Sequence, residues 1–211
     1  MAAVGLRYFV AAKIENETRG QPIQYGTGMR LGPARAANLT LERNSDPLHG
    51  DDVEQDNDNT ILGGTIETES TQMTAEERCF LLGETKVTGT ENEYEDSGEP
   101  SPAVGFGFFR VLRQKDMSTQ KVSTVYEAWW YHKAQFTENS MNGATKEGRI
   151  TWQTPRITGR LLGVYIDGTG NPKFRRHAEF DNEADAIAWL SEKANITQAS
   201  ADPEPSAGSN P

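Results

Sequence analysis

The sequence predicts a mainly β fold with a minor helical part, and three observations carry that expectation. Apolar and polar residues alternate through several stretches, the period that sends successive side chains to opposite faces of a strand. The chain of 211 residues holds 20 glycines and 10 prolines against a hydrophobic content of 35%, so turns are frequent and buried runs short. Helical patterning occurs at two places only, each preceded by its own capping residue.

Taken in order, "GLRYFVAAKI" from Gly5 to Ile14 reads as a strand and "ENETRGQP" as the turn that ends it. "ANLTLER" alternates strictly, with Ala37, Leu39 and Leu41 on one face and Asn38, Thr40 and Glu42 on the other. A projecting acidic loop is expected over 43–62, running to Gly63 and Gly64. "TIETES" then alternates again, with Glu67 and Glu69 on one face. Thr74 and Glu77 form the pattern of a capping box, which starts a short helix over 75–82 that Gly83 ends. A second acidic loop is expected over 84–103. "AVGFGFFRVLRQ" and "STVYEAWWYHKAQF" read as an antiparallel hairpin in which Phe106 and Phe108 fill one face. Gly105 and Gly107 leave the other face open to a close approach. Trp129 and Tyr131 point opposite to Trp130 and His132, so a sheet covered on both faces, or one joined by a neighbour, is expected. In "GRITWQTPRITGRLLG", Pro155 lacks an amide proton and demotes the strand to an edge or a bulge at that point. "KFRRHAEF" is a further strand. The segment from Glu183 to Ala194 is helical, capped by Asp181 or Asn182, with a stripe of Ala184, Ile187, Leu190 and Ala194. The polar, proline-bearing 195–211 is expected to be a disordered tail, leaving 1–194 as one domain.

Charge is unevenly spread. The net value is -10, yet residues 42 to 99 alone hold 17 acids and 3 bases. Such a field repels polyanions and disfavours ordinary nucleic-acid binding. The acids of "HGDDVEQDNDNT" suggest calcium, but counting from Asp52 the sixth and twelfth positions hold Asn57 and Gly63 where a helix-loop-helix calcium site needs Gly and Glu. A single cysteine, Cys79, excludes an intramolecular disulfide and reads as a buried small residue. With three scattered histidines it forms no zinc pattern. No cofactor is expected. No leader pattern or membrane-length apolar run occurs, so the expectation is an unprocessed protein made in the cytoplasm. No nucleophile, metal shell or opposed carboxylate pair emerges, so no enzyme is expected.

Several phrases, in order over residues 4 to 194, look familiar: "VGLRYFVAAKI", "YGTGMRLGPARAANLTLE", "DNDNTILGGTIETE", "VGFGFFRV", "YEAWWYHKAQF", "ITWQTPRITGRLLG" and "AEFDNEADAIAWLSEKA". Together they resemble the major tail proteins that build the tube of long, non-contractile phage tails. The resemblance implies a β-sandwich or barrel of two antiparallel sheets of the tail tube type, flanked by a short helix, with a C-terminal helix and a projecting loop. It implies hexameric rings stacked around a tape-measure protein, a tail terminator and distal tail proteins at the ends, and genomic DNA in transit but not bound. It places the protein in the virion tail, after assembly in the host cytoplasm. Under that reading Glu67, Glu69, Asn38, Thr40 and Glu42 are candidates for the lumen wall. Asp51, Asp52, Glu54, Asp56 and Asp58 are candidates for contacts between rings, and Trp152, Gln153 and Pro155 for the edge joined within a ring. The rival from another class is a carbohydrate-binding β-sandwich. In that reading Trp129, Trp130, Tyr131 and Trp152 form a sugar platform and the acidic loop holds calcium.

Overall fold

The computed structural model describes residues 2–50, 53–115, 117, 120–138, 140, 153–168 and 170–196. Thirteen strands and two helices are described. The strands are β1 (Ala2–Asn16), β2 (Gln24–Tyr25), β3 (Met29–Arg30), β4 (Ala34–Arg43), β5 (Asp46–Gly50), β6 (Val53–Asp58), β7 (Ile61–Ser70), β8 (Thr85–Lys86), β9 (Tyr94–Glu95), β10 (Ala103–Lys115), β11 (Val122–Thr137), β12 (Arg156–Leu161) and β13 (Arg175–Phe180). The helices are α1 (Ala75–Leu81) and α2 (Glu183–Lys193).

Nine strands form one antiparallel sheet in the order β2-β1-β10-β11-β12-β7-β4, with β3 added to β1 and β13 to β11. The two expected sheets are thus one hydrogen-bonded path. It curls until β4 comes back beside β1, so that its halves face each other. Between them lies the first core cluster, with Phe9, Ile66, Phe106, Phe108, Tyr131, Phe136, Ile157 and Leu161 and with Leu81 of α1 as its lid. A second cluster covers the outer side of β1, β10 and β11, where Val10, Phe109, Ala128 and Trp130 meet Ala186, Leu190 and Ala194. The hairpin β10–β11 is therefore covered on both faces, which explains aromatic residues on both.

The glycines of "GFGFFR" are room for this packing. A Cβ at Gly105 would lie 2.3 Å from the Trp130 ring, and one at Gly107 would lie 2.7 Å from that ring and 2.8 Å from Leu190. Two bulges carry chain across the sheet. Between Arg7 and Val10, β1 spends one residue more than β10, and Tyr8 takes a left-handed φ of 63° there. Both Arg7 and Tyr8 thereby reach α2, through Glu183 and through the Ser191 hydroxyl at 3.0 Å. Between Tyr131 and Ala134, β11 has the extra residue.

Some readings need correction. The Gly63–Gly64 pair lies inside β7, and Gly64 makes room for β4, since a Cβ there would meet the Thr40 carbonyl at 2.6 Å. The buried stripe of α2 is Ala186, Leu190 and Ala194 with Ile187 beside it, and Ala184 faces solvent. Cys79 is half-buried. The α1 capping box forms as read, with the Thr74 amide donating to Glu77 Oε2 at 2.6 Å and the Glu77 amide to Thr74 Oγ1 at 3.2 Å. Asn182 caps α2 by accepting from the Asp185 amide at 2.8 Å. The C-terminal residues from 197 onward lie outside the described residues. Among the described residues no helix is long and apolar enough to cross a membrane.

His132, at the β11 bulge, is buried, and its carbonyl accepts from the Tyr25 hydroxyl at 2.8 Å. Burial, with Arg176 and Lys193 nearby, pushes its imidazole down to about 4. The unfolded imidazole, near 6.5, takes up a proton that the folded one refuses, so stability is full above about 6.5 and falls as pH drops toward 4, by roughly 3 kcal/mol. His132→Gln should flatten urea-melt stability across that window, and a slope equal to the parent's would remove His132 as its source.

Candidate assembly surfaces

The outer face of β4, β7 and β12 is built by register. Asn38, Glu67 and Thr158 form one row, Thr40, Thr65 and Arg160 the next, and Ala36, Glu69 and Arg156 a third. Asn38, Thr40, Glu42, Glu67 and Glu69 thus share one outward face, while Ile66, Thr68 and Ser70 are buried beneath. The face is not a plain acidic wall. Glu69 is 12% exposed, accepts from the Thr154 hydroxyl and from Arg35 at 2.7 Å, and has Arg156 at 3.4 Å. The Thr154 hydrogen bond, helped by Arg156 and Arg35, holds its carboxyl below the usual carboxylate range. Arg160 grips Glu42 with both terminal nitrogens, one of them at 2.7 Å, and the carboxylate raises the guanidinium's pKa in return. Glu67 stays exposed. Two of the three glutamates are therefore compensated within the chain, because Arg156 and Arg160 alternate onto the same face along β12. That signal was readable in "RITGR", where Arg156, Thr158 and Arg160 stand two apart.

The acidic stretch, expected as a projecting loop, is a hairpin. β5 and β6 pair with each other from Asp46 and Asp58 to Gly50 and Val53 and form a sheet of their own. Backbone ladder bonds need no apolar side chains, which is why composition missed it. Asp51 and Asp52 lie outside the described residues, and for Glu54 and Asp56 only the strand is described. Asp58 is placed at the joint between this arm and β7. Its carboxylate accepts from the Asn44 side chain at 3.0 Å, from the Thr60 amide at 3.1 Å and from the Thr60 hydroxyl. These bonds, that of the Thr60 hydroxyl foremost, hold Asp58 below the usual carboxylate range. The Asn44 amide meets the Thr60 carbonyl at 2.8 Å, and Arg43 meets the Asn59 carbonyl at 3.1 Å.

The expected edge at Pro155 is displaced. β12 starts at Arg156 and is interior, between β11 and β7, so Pro155 needs no strand amide; its carbonyl accepts from the Ser70 amide at 3.3 Å. Gln153 lies in the irregular chain before it, and Trp152 lies outside the described residues. Among the described residues the open edges belong to β4 and β13, to the short β2 and β3, and to parts of β1 and β11.

The aromatic cluster serves packing. Trp130 and Tyr131 are 1% and 2% exposed, and Trp129 is stacked on His177 at 4.6 Å with Arg175 over its ring at 4.6 Å. Those three offer no flat platform to a sugar. Among the described residues no three His, Cys, Asp or Glu side chains converge to hold a metal ion. Comparison of the chain with known protein families finds no match, and comparison with curated proteins finds none either.

The two glutamates of β7 should separate in a stability measurement. Glu69→Gln breaks charge-assisted bonds and should cost roughly 1–2 kcal/mol in urea unfolding at neutral pH, whereas Glu67→Gln should leave the midpoint unchanged. Equal effects would mean that the Glu69 network carries nothing.

Proposed function

We propose that this chain is the tube-forming subunit of a long, non-contractile phage tail, a structural virion protein that catalyses no chemistry. Copies join in six-membered rings, and rings stack around a tape-measure protein. A tail terminator and distal tail proteins complete the ends, and genomic DNA passes through the lumen without being bound. The sequence phrases that resemble tail tube proteins, and the curled antiparallel sheet with its two helices, support this reading.

The observation that carries it is the arm. β5 and β6 have no strand partner but each other among the described residues, and an isolated two-stranded hairpin is marginal in water. A polymer supplies the missing surface, since an arm reaching a neighbouring ring is covered there. The acidic surplus fits a conduit, because carboxylates repel phosphates over only about 8–10 Å at physiological salt. DNA is kept from adhering while its passage stays open. On the β4–β7–β12 face, Glu67 is the residue free to act in this way.

Concentrated purified protein, seeded with tail tips where needed, should form tubes of stacked rings in electron microscopy. Replacing 46–58 by a Gly-Ser linker should leave a cooperatively unfolding monomer that forms no tubes. A parent chain that stays monomeric under seeding would sink the reading, and normal tubes from the armless variant would remove the arm's role.

Glu67→Lys should leave folding intact, because the position is exposed and outside the Glu69 network. Virions carrying it should eject DNA more slowly, and most so at low salt, where a cationic wall binds phosphate best. Ejection like the parent's across a salt series would put Glu67 outside the lumen.

A further inference from the structure

One end of the β1–β10–β11 unit is bare on both sides. β10 pairs with β1 from Ala2 and with β11 as far as Val122. On its other side β1 is taken up by β3 only at Val10 and by β2 only at Ile14, and β11 is taken up by β13 only from Tyr126. Residues 2–6 and 122–125 are therefore strand edges without a strand partner among the described residues. Natural edges are blunted with charge, proline or a cover. "AAVGL" and "VSTV" contain no charge and no proline. Three of the four large apolar side chains that stand well exposed among the described residues cluster here: Val4 at 56%, Met117 at 83% and Val122 at 61%.

We propose that the open edge of β1 in one copy pairs with the open edge of β11 in the next, so that the three-stranded end of the unit continues from copy to copy. This rests on the reading of the chain as a ring-forming subunit. β1 and β11 are both antiparallel to β10 and so run the same way. Copies turned about an axis along the strands meet in a parallel pairing, a head-to-tail contact that closes into a ring. Ala2 and Thr124 stand at the same height, since both face Arg113, and a small axial step of the next copy lengthens the overlap. The receiving edge lies along a groove of about 680 Å³ whose lining includes Met117, Val125 and Phe180 together with Lys115, Glu179 and Asp181. Val4, pushed out of register by a bulge, supplies an apolar knob for the groove. The incoming stretch 2–6 brings no acid to the groove.

The test replaces Cys79 with Ser and adds Ala3→Cys and Ser123→Cys, singly and together, for treatment with a short bifunctional maleimide. The double variant should give a ladder of covalent multimers ending at the ring size, and each single variant should give monomers only. Dimers from a single variant would mean a two-fold symmetric contact and overturn the pairing. Assemblies that form normally without a ladder would overturn it too, while the ring reading stood. A chain that never assembles would sink both. As a second readout, Val4→Asp should keep the parent's melting temperature and lower the assembled fraction about tenfold or more, the effect of 1.4 kcal/mol at the contact. Unchanged assembly by Val4→Asp would also overturn it.

Discussion

The indole of Trp130, lying across Gly105 and Gly107, is the contact on which the rest of the structure depends. With side chains at those two positions the ring could not approach the sheet, and at Gly107 Leu190 would be excluded as well. Trp130 also meets Tyr25 edge-on at 5.3 Å and donates through Nε1 to its hydroxyl at 3.3 Å. That hydroxyl in turn donates to the His132 carbonyl, and burial lifts the phenol to about 12. One ring thus joins β10, β11, the β2 turn and α2. On the far side of the same strands Phe106 and Phe108 fill the first cluster, so omission of two side chains permits two cores to share one sheet.

Polar design on the remaining face follows a different rule. On β4, β7 and β12 the outward residues form rows; Arg156 meets Glu69 within its row, and Arg160 reaches Glu42 beyond its own. The Arg160–Glu42 pair is exposed and contributes little stability. The effect of both pairs is on the field, since compensated glutamates project almost no charge beyond the surface. On this face the acidity of the segment 42–99 is consequently felt at Glu67.

Legibility followed the physics of each element. The capping box at Thr74, the cap at Asn182 and the alternation in "ANLTLER" are local, and each was readable because neighbouring residues settle it. The glycines of "GFGFFR" announced a close approach but not what approached, because Trp130 and Leu190 arrive from distant sequence. The arm was hidden because backbone ladders leave no mark in a polar composition. The interior place of β12 was misread from Pro155, one residue too early. The compensation of Glu69 was missed because Arg35, Thr154 and Arg156 come from two other segments, although the spacing of Arg156 and Arg160 was open to view.

The bulge at His132 and Lys133 bears on how the chain tolerates changes of length. From Tyr131 to Ala134 the count is odd, yet both side chains enter the first cluster, because the extra residue absorbs the mismatch. A one-residue deletion between Tyr126 and Tyr131 would exchange the two cores, sending Trp130 to the wrong side of the sheet. Loss of Lys133 at the bulge itself would leave Tyr131, Ala134 and Phe136 facing as before, and would remove the bend that hands β11 from β13 to β12 together with the Lys133 carbonyl that takes the Leu162 amide. Length variation in this strand is thus confined to one point, and the cost there is paid in curvature instead of in burial.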